Sequence, residues 1–170
     1  MGNAVKRLYL IGGPMGVGKT AVCRALQKRL DRSAFLDGDW CWDSHPFQVT
    51  EETKAMVLEN ICFLLNQFLR CSAYDHIIFC WVLHRQEIWD AVRSRLDVRD
   101  CAVRTISLTA SPEALTARIK ADIQAGRRDP GALERSLAYL PLYGALNTEQ
   151  LDVSRLTPGE AAERILEGCP

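Results

Sequence analysis

The sequence predicts an α/β fold built on a mostly parallel sheet, and three observations predict it. Short apolar runs alternate with longer stretches of helical periodicity, the pattern of successive strand–helix–strand units. The run HIIFCWVL over residues 76–83 is almost wholly apolar, as a strand covered on both faces requires. No repeat or low-complexity linker interrupts the alternation, and 170 residues suit one core, so 1–170 reads as a single domain.

Each element follows in order. Residues 8–11 form an apolar strand stopped by Gly12-Gly13, and Val22, Leu26 and Leu30 then recur at helical spacing. Residues 34–36 are a second short strand ending at Asp37-Gly38-Asp39. Thr50 can cap a long helix whose first turn carries Glu51 and Glu52 and whose stripe runs Val57, Leu58, Ile61, Leu64, Leu65, Phe68. After the 76–83 strand, helix is expected over 86–96 and strand over 103–108. Ser111-Pro112 opens a helix with Leu115, Ile119 and Ile123 inward and Gly126 at its end. A loop over 127–131, a helix from about 132 to 143, and a fifth strand over 150–153 follow. Thr157 and Glu160 have capping-box spacing and open the last helix.

Charge excludes little but is informative. Lys plus Arg and Asp plus Glu are 21 each, with no clustered basic excess, so no nucleic-acid partner is expected. The seven cysteines (23, 41, 62, 71, 80, 101, 169) lie mostly in apolar runs and form no CxxC pair, which reads as reduced, buried thiols. Three scattered histidines give no metal-site spacing. No signal-type N-terminus and no membrane-spanning apolar run is seen, so a cytoplasmic protein without a membrane partner is expected, as monomer or homodimer.

The strongest signal is local. Gly13-Pro14-Met15-Gly16-Val17-Gly18-Lys19-Thr20 matches GxxxxGK[ST] in full, follows a predicted strand and enters a predicted helix. Its glycines let the backbone curl so that successive N–H groups can face phosphate oxygens, and the next helix adds the positive end of its dipole. Gly13, Met15, Gly16, Val17, Gly18, Lys19, Thr20 and Ala21 are therefore candidate ATP-binding residues. Lys19 would bridge the β- and γ-phosphates, and the Thr20 hydroxyl would ligate Mg²⁺.

A GTPase would be expected to carry DxxG and NKxD elements, and neither occurs. A motor ATPase would place an acid at the tip of the 76–83 strand, where His84-Arg85 stand instead. The acids sit after the second strand, and C-terminal strand ends line the ligand crevice of parallel sheets. Asp39 is the candidate for accepting the proton of an attacking hydroxyl, and Asp37 for orienting water on the metal. The reverse division is also compatible with the spacing.

GPMGVGKT, FLDGDW, an arginine-bearing helix leading into GRRD, and LDVSRLTPGEAAERI together resemble the nucleoside-monophosphate-kinase-like group of P-loop proteins. The DGD element is similar to that of adenylylsulfate kinase, and its position resembles the acidic pair of shikimate and gluconate kinases. The resemblance implies a P-loop NTPase three-layer sandwich, a five-stranded parallel sheet in the order 2-3-1-4-5, a short lid at about 124–131, and Mg²⁺ with ATP as phosphoryl donor. It implies ATP-dependent transfer to a small-molecule acceptor, a nucleoside, nucleotide or hydroxyl metabolite. A nucleotide-binding regulatory protein or an antibiotic-modifying phosphotransferase stand as alternatives. Arg118 on the helix and Arg127 and Arg128 in the loop match lid arginines. Residues 154–157, with Arg155, resemble the adenine-side loop.

The acceptor side is expected over about 37–71. Trp40, Trp42 and His45 fall in an aromatic-dense loop after the acidic pair, either stacking on an acceptor or forming a small core under the long helix. Trp81, His84 and Arg85, at the end of the 76–83 strand, are expected to face the same crevice.

Overall fold

A computed structural model describes residues 5–168. Its strands are β1 (Lys6–Gly12), β2 (Ser33–Asp37), β3 (His76–Trp81), β4 (Cys101–Thr109) and β5 (Glu149–Asp152). They pair in parallel in the order β2-β3-β1-β4-β5. The helices are α1 (Lys19–Gln27), α2 (Glu51–Arg70), α3 (Gln86–Arg93), α4 (Pro112–Gln124), α5 (Ala132–Tyr139) and α6 (Pro158–Glu167), with 3-10 turns at Gly38–Cys41 and Leu140–Ala145. Parallel neighbours need long crossovers, and the helices supply them.

The alternation of side chains along a strand explains the three layers. On β1, Tyr9 and Ile11 face one side, where Leu26 of α1, Ile119 of α4 and Ile165 of α6 complete one core. Leu8 and Leu10 face the other side, against Ile61 and Leu65 of α2 and Trp89 of α3. Both faces of the central strands β1 and β3 are dry, which is why the middles of those strands are apolar without alternation, whereas the edge strand β5 is polar and exposed. Fully burying one such Leu or Ile side chain contributes about 1.5–3 kcal/mol.

The caps expected from the sequence are present. The Thr50 side chain accepts from the Thr53 N–H at 3.1 Å while Thr53 Oγ1 accepts from the Thr50 N–H at 2.8 Å. Ser111 caps α4 at 3.1 Å, and Thr157 and Glu160 close the reciprocal box on α6. Strands β1, β2 and β4 run one to two residues longer at their ends than expected and β5 sits one residue earlier, and three further boundaries have a local cause. The helix expected over 132–143 ends at Tyr139, because Pro141 has no N–H to return to the preceding turn. The one expected over 86–96 ends at Arg93, where the Leu96 N–H reaches back to the Arg93 carbonyl at 3.2 Å and tightens the chain into a turn. The strand expected over 76–83 stops at Trp81, since Leu83 has a φ of 30° and leaves the extended region.

Among the described residues, Cys23, Cys62 and Cys80 are buried free thiols, whereas Cys41, Cys71 and Cys101 are only half-buried. Cys169 lies outside the described residues. No helix among the described residues is long and apolar enough to cross a membrane.

Candidate active site

Residues 13–20 join β1 to α1 at the C-terminal edge of the sheet, where the strand ends open onto a crevice. The loop curls through a Val17 N–H bond to the Pro14 carbonyl at 3.3 Å. Gly16 has a φ of 82°, and a Cβ on it would lie 2.4 Å from Cγ1 of Ile119, so the loop is pressed onto α4. Three further bonds fasten it. The buried Ser136 hydroxyl of α5 donates to the Met15 carbonyl at 2.6 Å. Arg118 of α4 donates to the carbonyls of Val17 at 3.0 Å and Val153 at 2.6 Å, tying the loop to the segment after β5.

Lys19 folds back over this loop, its Nζ donating to the carbonyls of Gly13 at 2.8 Å and Pro14 at 3.0 Å. Burial lowers its pKa, with the nearby Cys80, Asp39 and Asp37 opposing that shift. The Cys80 thiol is pushed far up by a hydrogen bond with Cys23 and by burial.

The acidic pair is divided by its surroundings. The Thr20 hydroxyl donates to one oxygen of Asp37 at 2.7 Å, and the Asp39 N–H donates to the other at 3.1 Å. Asp37 is buried. Gly38 separates the two because a Cβ there would lie 2.5 Å from the Trp81 indole. Asp39 keeps an open edge to solvent but stands among walls that withdraw water. That desolvation raises its pKa, Asp37 adds to the rise, and Lys19 and the Trp81 indole N–H oppose it.

Thr20 and Asp37 offer adjacent hard oxygen donors, which suit Mg²⁺; that ion takes one or two protein oxygens and completes its shell with phosphate and water. Among the described residues no cluster of three or more His, Cys, Asp or Glu could cage a metal.

The 125–131 segment follows α4, and Asp122 clamps both of its arginines. Arg127 donates to one carboxylate oxygen through Nε at 3.0 Å and Nη2 at 2.8 Å, and Arg128 Nε donates to the other at 2.9 Å. These bonds hold the Asp122 carboxyl below the usual range. The two arginines are not equivalent: the charge of Arg128 is felt at both Lys19 and Asp39. Arg127 is the more exposed and lies against Asp122.

Beside Asp39 a cavity of about 670 Å³ opens between α2, α3 and the end of β3. Trp42, Trp81 and His84 line it, and Trp42 packs on Phe47 with ring centroids 4.8 Å apart. His84 stacks flat on Tyr139 at 4.5 Å, and burial, then the Arg85 charge, lowers its pKa. Other expected acceptor residues lie elsewhere. Trp40 packs on Phe35 at 5.2 Å with the Arg24 guanidinium over both rings, on the α1 side and away from the cavity. His45 is exposed on its loop, and Arg85 is the exposed N-cap residue of α3; neither lines the cavity. Ala21 is exposed in the first turn of α1, and Arg155 is exposed after β5, where Asp152 feels its charge.

The sequence reading missed Val57, Leu58, Ile88 and Tyr139 as cavity walls, although Val57 and Leu58 had been read as one stripe of α2. It also missed Ser136 and Asp122, whose only signal was a polar residue within a helical pattern.

A family model described as an AAA domain matches residues 10–136. The chain belongs to the AAA domain family. The matched part of this AAA domain runs from β1 into α5 and so contains the loop, the acidic pair and both arginines. A search of the curated proteins matched none. Among solved structures, a gluconokinase from Sinorhizobium meliloti 1021 is similar at TM-score 0.70 and 19% identity, covering 98% of this chain and 93% of its own. The tunicamycin resistance protein of Deinococcus radiodurans is similar at 0.69 and 20%, covering 97% of each chain. Shikimate kinase from Acinetobacter baumannii, solved with shikimate, is similar at 0.61 and 21%, covering 96% of this chain and 92% of its own. This AAA domain therefore shares their fold, including the 2-3-1-4-5 sheet expected from the sequence.

Proposed function

We propose that the chain is an ATP-dependent kinase, acting as one domain in the cytoplasm, that transfers the γ-phosphoryl group to a small-molecule acceptor. The observation that carries this reading is the meeting of Lys19, the bonded Thr20–Asp37 pair and the Asp39 carboxylate in one crevice. The likeness in fold to a gluconokinase and a shikimate kinase supports it.

In this reading residues 13–20 hold the triphosphate and Lys19 leaves its loop carbonyls for phosphate oxygens. Thr20 and Asp37 would hold Mg²⁺, which would supply charge neutralisation at the phosphates. Asp39 takes the proton as an acceptor hydroxyl oxygen forms its bond to the γ-phosphorus. The bond from that phosphorus to the β–γ bridging oxygen breaks, and ADP leaves. The raised pKa of Asp39 makes it a better proton acceptor than an ordinary surface carboxylate, whereas Asp37 is fixed beside Thr20 by two hydrogen bonds, in the position of a metal holder. That favours Asp39 as the base.

Arg128 would exchange Asp122 for the transferring phosphoryl group, since its charge already reaches the two central side chains. Arg128→Ala is expected to lower kcat by about 10²-fold or more, as for loss of one charge-stabilising donor, and Arg127→Ala by less than about tenfold. Steady-state kinetics of the two variants checks this.

The test of the function is acceptor-dependent ADP release, screened over nucleosides, nucleotides, sugars, shikimate-like acids and aminoglycosides, with tunicamycin added because of the fold shared with a resistance protein. Release with one class of acceptor is expected. Tight Mg-ATP binding with no transfer to any member would overturn the kinase in favour of a nucleotide sensor.

A further inference from the structure

The cavity beside Asp39 has a chemical character of its own. Its walls are Trp42, Phe47, Val57, Leu58, Trp81 and the His84–Tyr139 stack, supplied by four separate parts of the chain. At about 670 Å³ it lies within the roughly 300–1,000 Å³ range of sites that enclose a drug-sized molecule.

Its charge is as informative as its shape. Among the described residues no arginine lines it. The single lysine, Lys54, is paired with Glu51 at 2.8 Å. Asp39 and Glu87 are the lining carboxylates, and Glu87 is exposed at the rim. His84 titrates low and so adds no cation near neutral pH. An anionic acceptor would lose its hydration among indole and aliphatic carbons and face two carboxylates, while the cations that act on Asp39 are engaged elsewhere, Lys19 by the loop carbonyls and Arg128 by Asp122. An uncharged ring loses little hydration and gains stacking area on two tryptophans.

We propose that this cavity takes an uncharged acceptor with an aromatic body and a hydroxyl group, seated between Trp42, Trp81 and the His84–Tyr139 wall, and disfavours small carboxylates and phosphates. The proposal rests on the kinase reading for the fate of the hydroxyl: its oxygen gains the γ-phosphoryl group, its proton passes to Asp39, and ADP leaves. The selection by charge belongs to the cavity itself.

The test uses the full chain and a matched pair of probes, 2-naphthylmethanol and 2-naphthoate, with shikimate, gluconate and AMP alongside. Binding is read by saturation-transfer NMR and calorimetry, and transfer by ADP release. The alcohol is expected to bind at least about tenfold tighter than the carboxylate of the same body, and to be the acceptor that stimulates ADP release. Ala91→Trp, which fills the cavity from α3, is expected to abolish alcohol binding while Mg-ATP still binds. Should that variant fail to fold, Glu87→Arg on the exposed rim is expected to shrink the preference for the alcohol over the carboxylate. Equal or tighter binding of 2-naphthoate, or alcohol binding unaltered in Ala91→Trp, overturns the proposal. The two readings separate cleanly. Alcohol binding in the cavity without ADP release from any acceptor would sink the kinase and support the charge selection. ADP release driven by shikimate, gluconate or AMP would support the kinase and sink the charge selection.

Discussion

The Lys19→Ala variant is expected to lose turnover by about 10²–10³-fold or more, the effect of removing one preorganised charge from a phosphoryl-transfer site. Lys19 is the ammonium at the centre of the phosphate loop, and its hydrogen-bond partners among the described residues, the Gly13 and Pro14 carbonyls, are exchangeable for phosphate oxygens. Loss of fold would not explain the result. Burial holds the Lys19 pKa below its unfolded value, so the folded chain binds fewer protons there than the unfolded chain does. Stability from this group therefore rises with pH through the window between the lowered and the ordinary lysine values, and below that window the buried charge is a cost. Alanine removes that cost. A melting temperature at neutral pH equal to or above that of the parent, together with lost ADP release, is the expected pair of measurements. Retained turnover in a folded variant would remove Lys19 from the chemistry.

Asp39→Asn is expected to lower kcat by about 10²–10⁴-fold, the usual contribution of a positioned general base. Its pH profile carries the sharper test. Because desolvation and Asp37 raise the Asp39 pKa, the parent rate should fall on the acid side at a pH above the ordinary carboxylate range. In the Asn variant that limb should vanish and leave a low, flat rate. Stability should move the other way. A carboxyl with a raised folded pKa binds more protons folded than unfolded, so its contribution falls as pH rises from the unfolded value through the raised one. Above that window the charged carboxylate is a penalty that Asn lacks. Thermal melts at neutral pH should show the variant no less stable than the parent. An acid limb that survives in Asp39→Asn would assign the titration to another group.

Much of this was legible in the chain because it depends on neighbours in sequence. The phosphate loop is contiguous, so its residues and the helix that follows it could be read from a single motif. The caps at Thr50, Ser111 and Thr157 depend on residues three positions apart and appear as expected. Trp40 and Trp42 show where such reading stops. They are two residues apart and of one type, yet one packs on Phe35 under Arg24 and the other lines the cavity. Trp40 lies within the 3-10 turn at Gly38–Cys41 and Trp42 follows it, whereas a strand would have placed both on one side. Arg127 and Arg128 present the same problem. Their shared clamp on Asp122, and the reach of only one toward Lys19, depend on how the chain leaves α4.

The sequence by itself determined the alternation of elements, the two-faced burial of the sheet and the identity of the phosphate loop, since periodicity and short-range hydrogen bonding are properties of adjacent residues. Only the folded chain shows that Thr20 meets Asp37, that the surroundings of Asp39 raise its pKa, and that Trp42, Leu58, Trp81 and Tyr139 share one cavity. The physical reason is that water exclusion and wall shape are made by atoms far apart in the chain, and they come into being only when the crossovers bring the strand ends together.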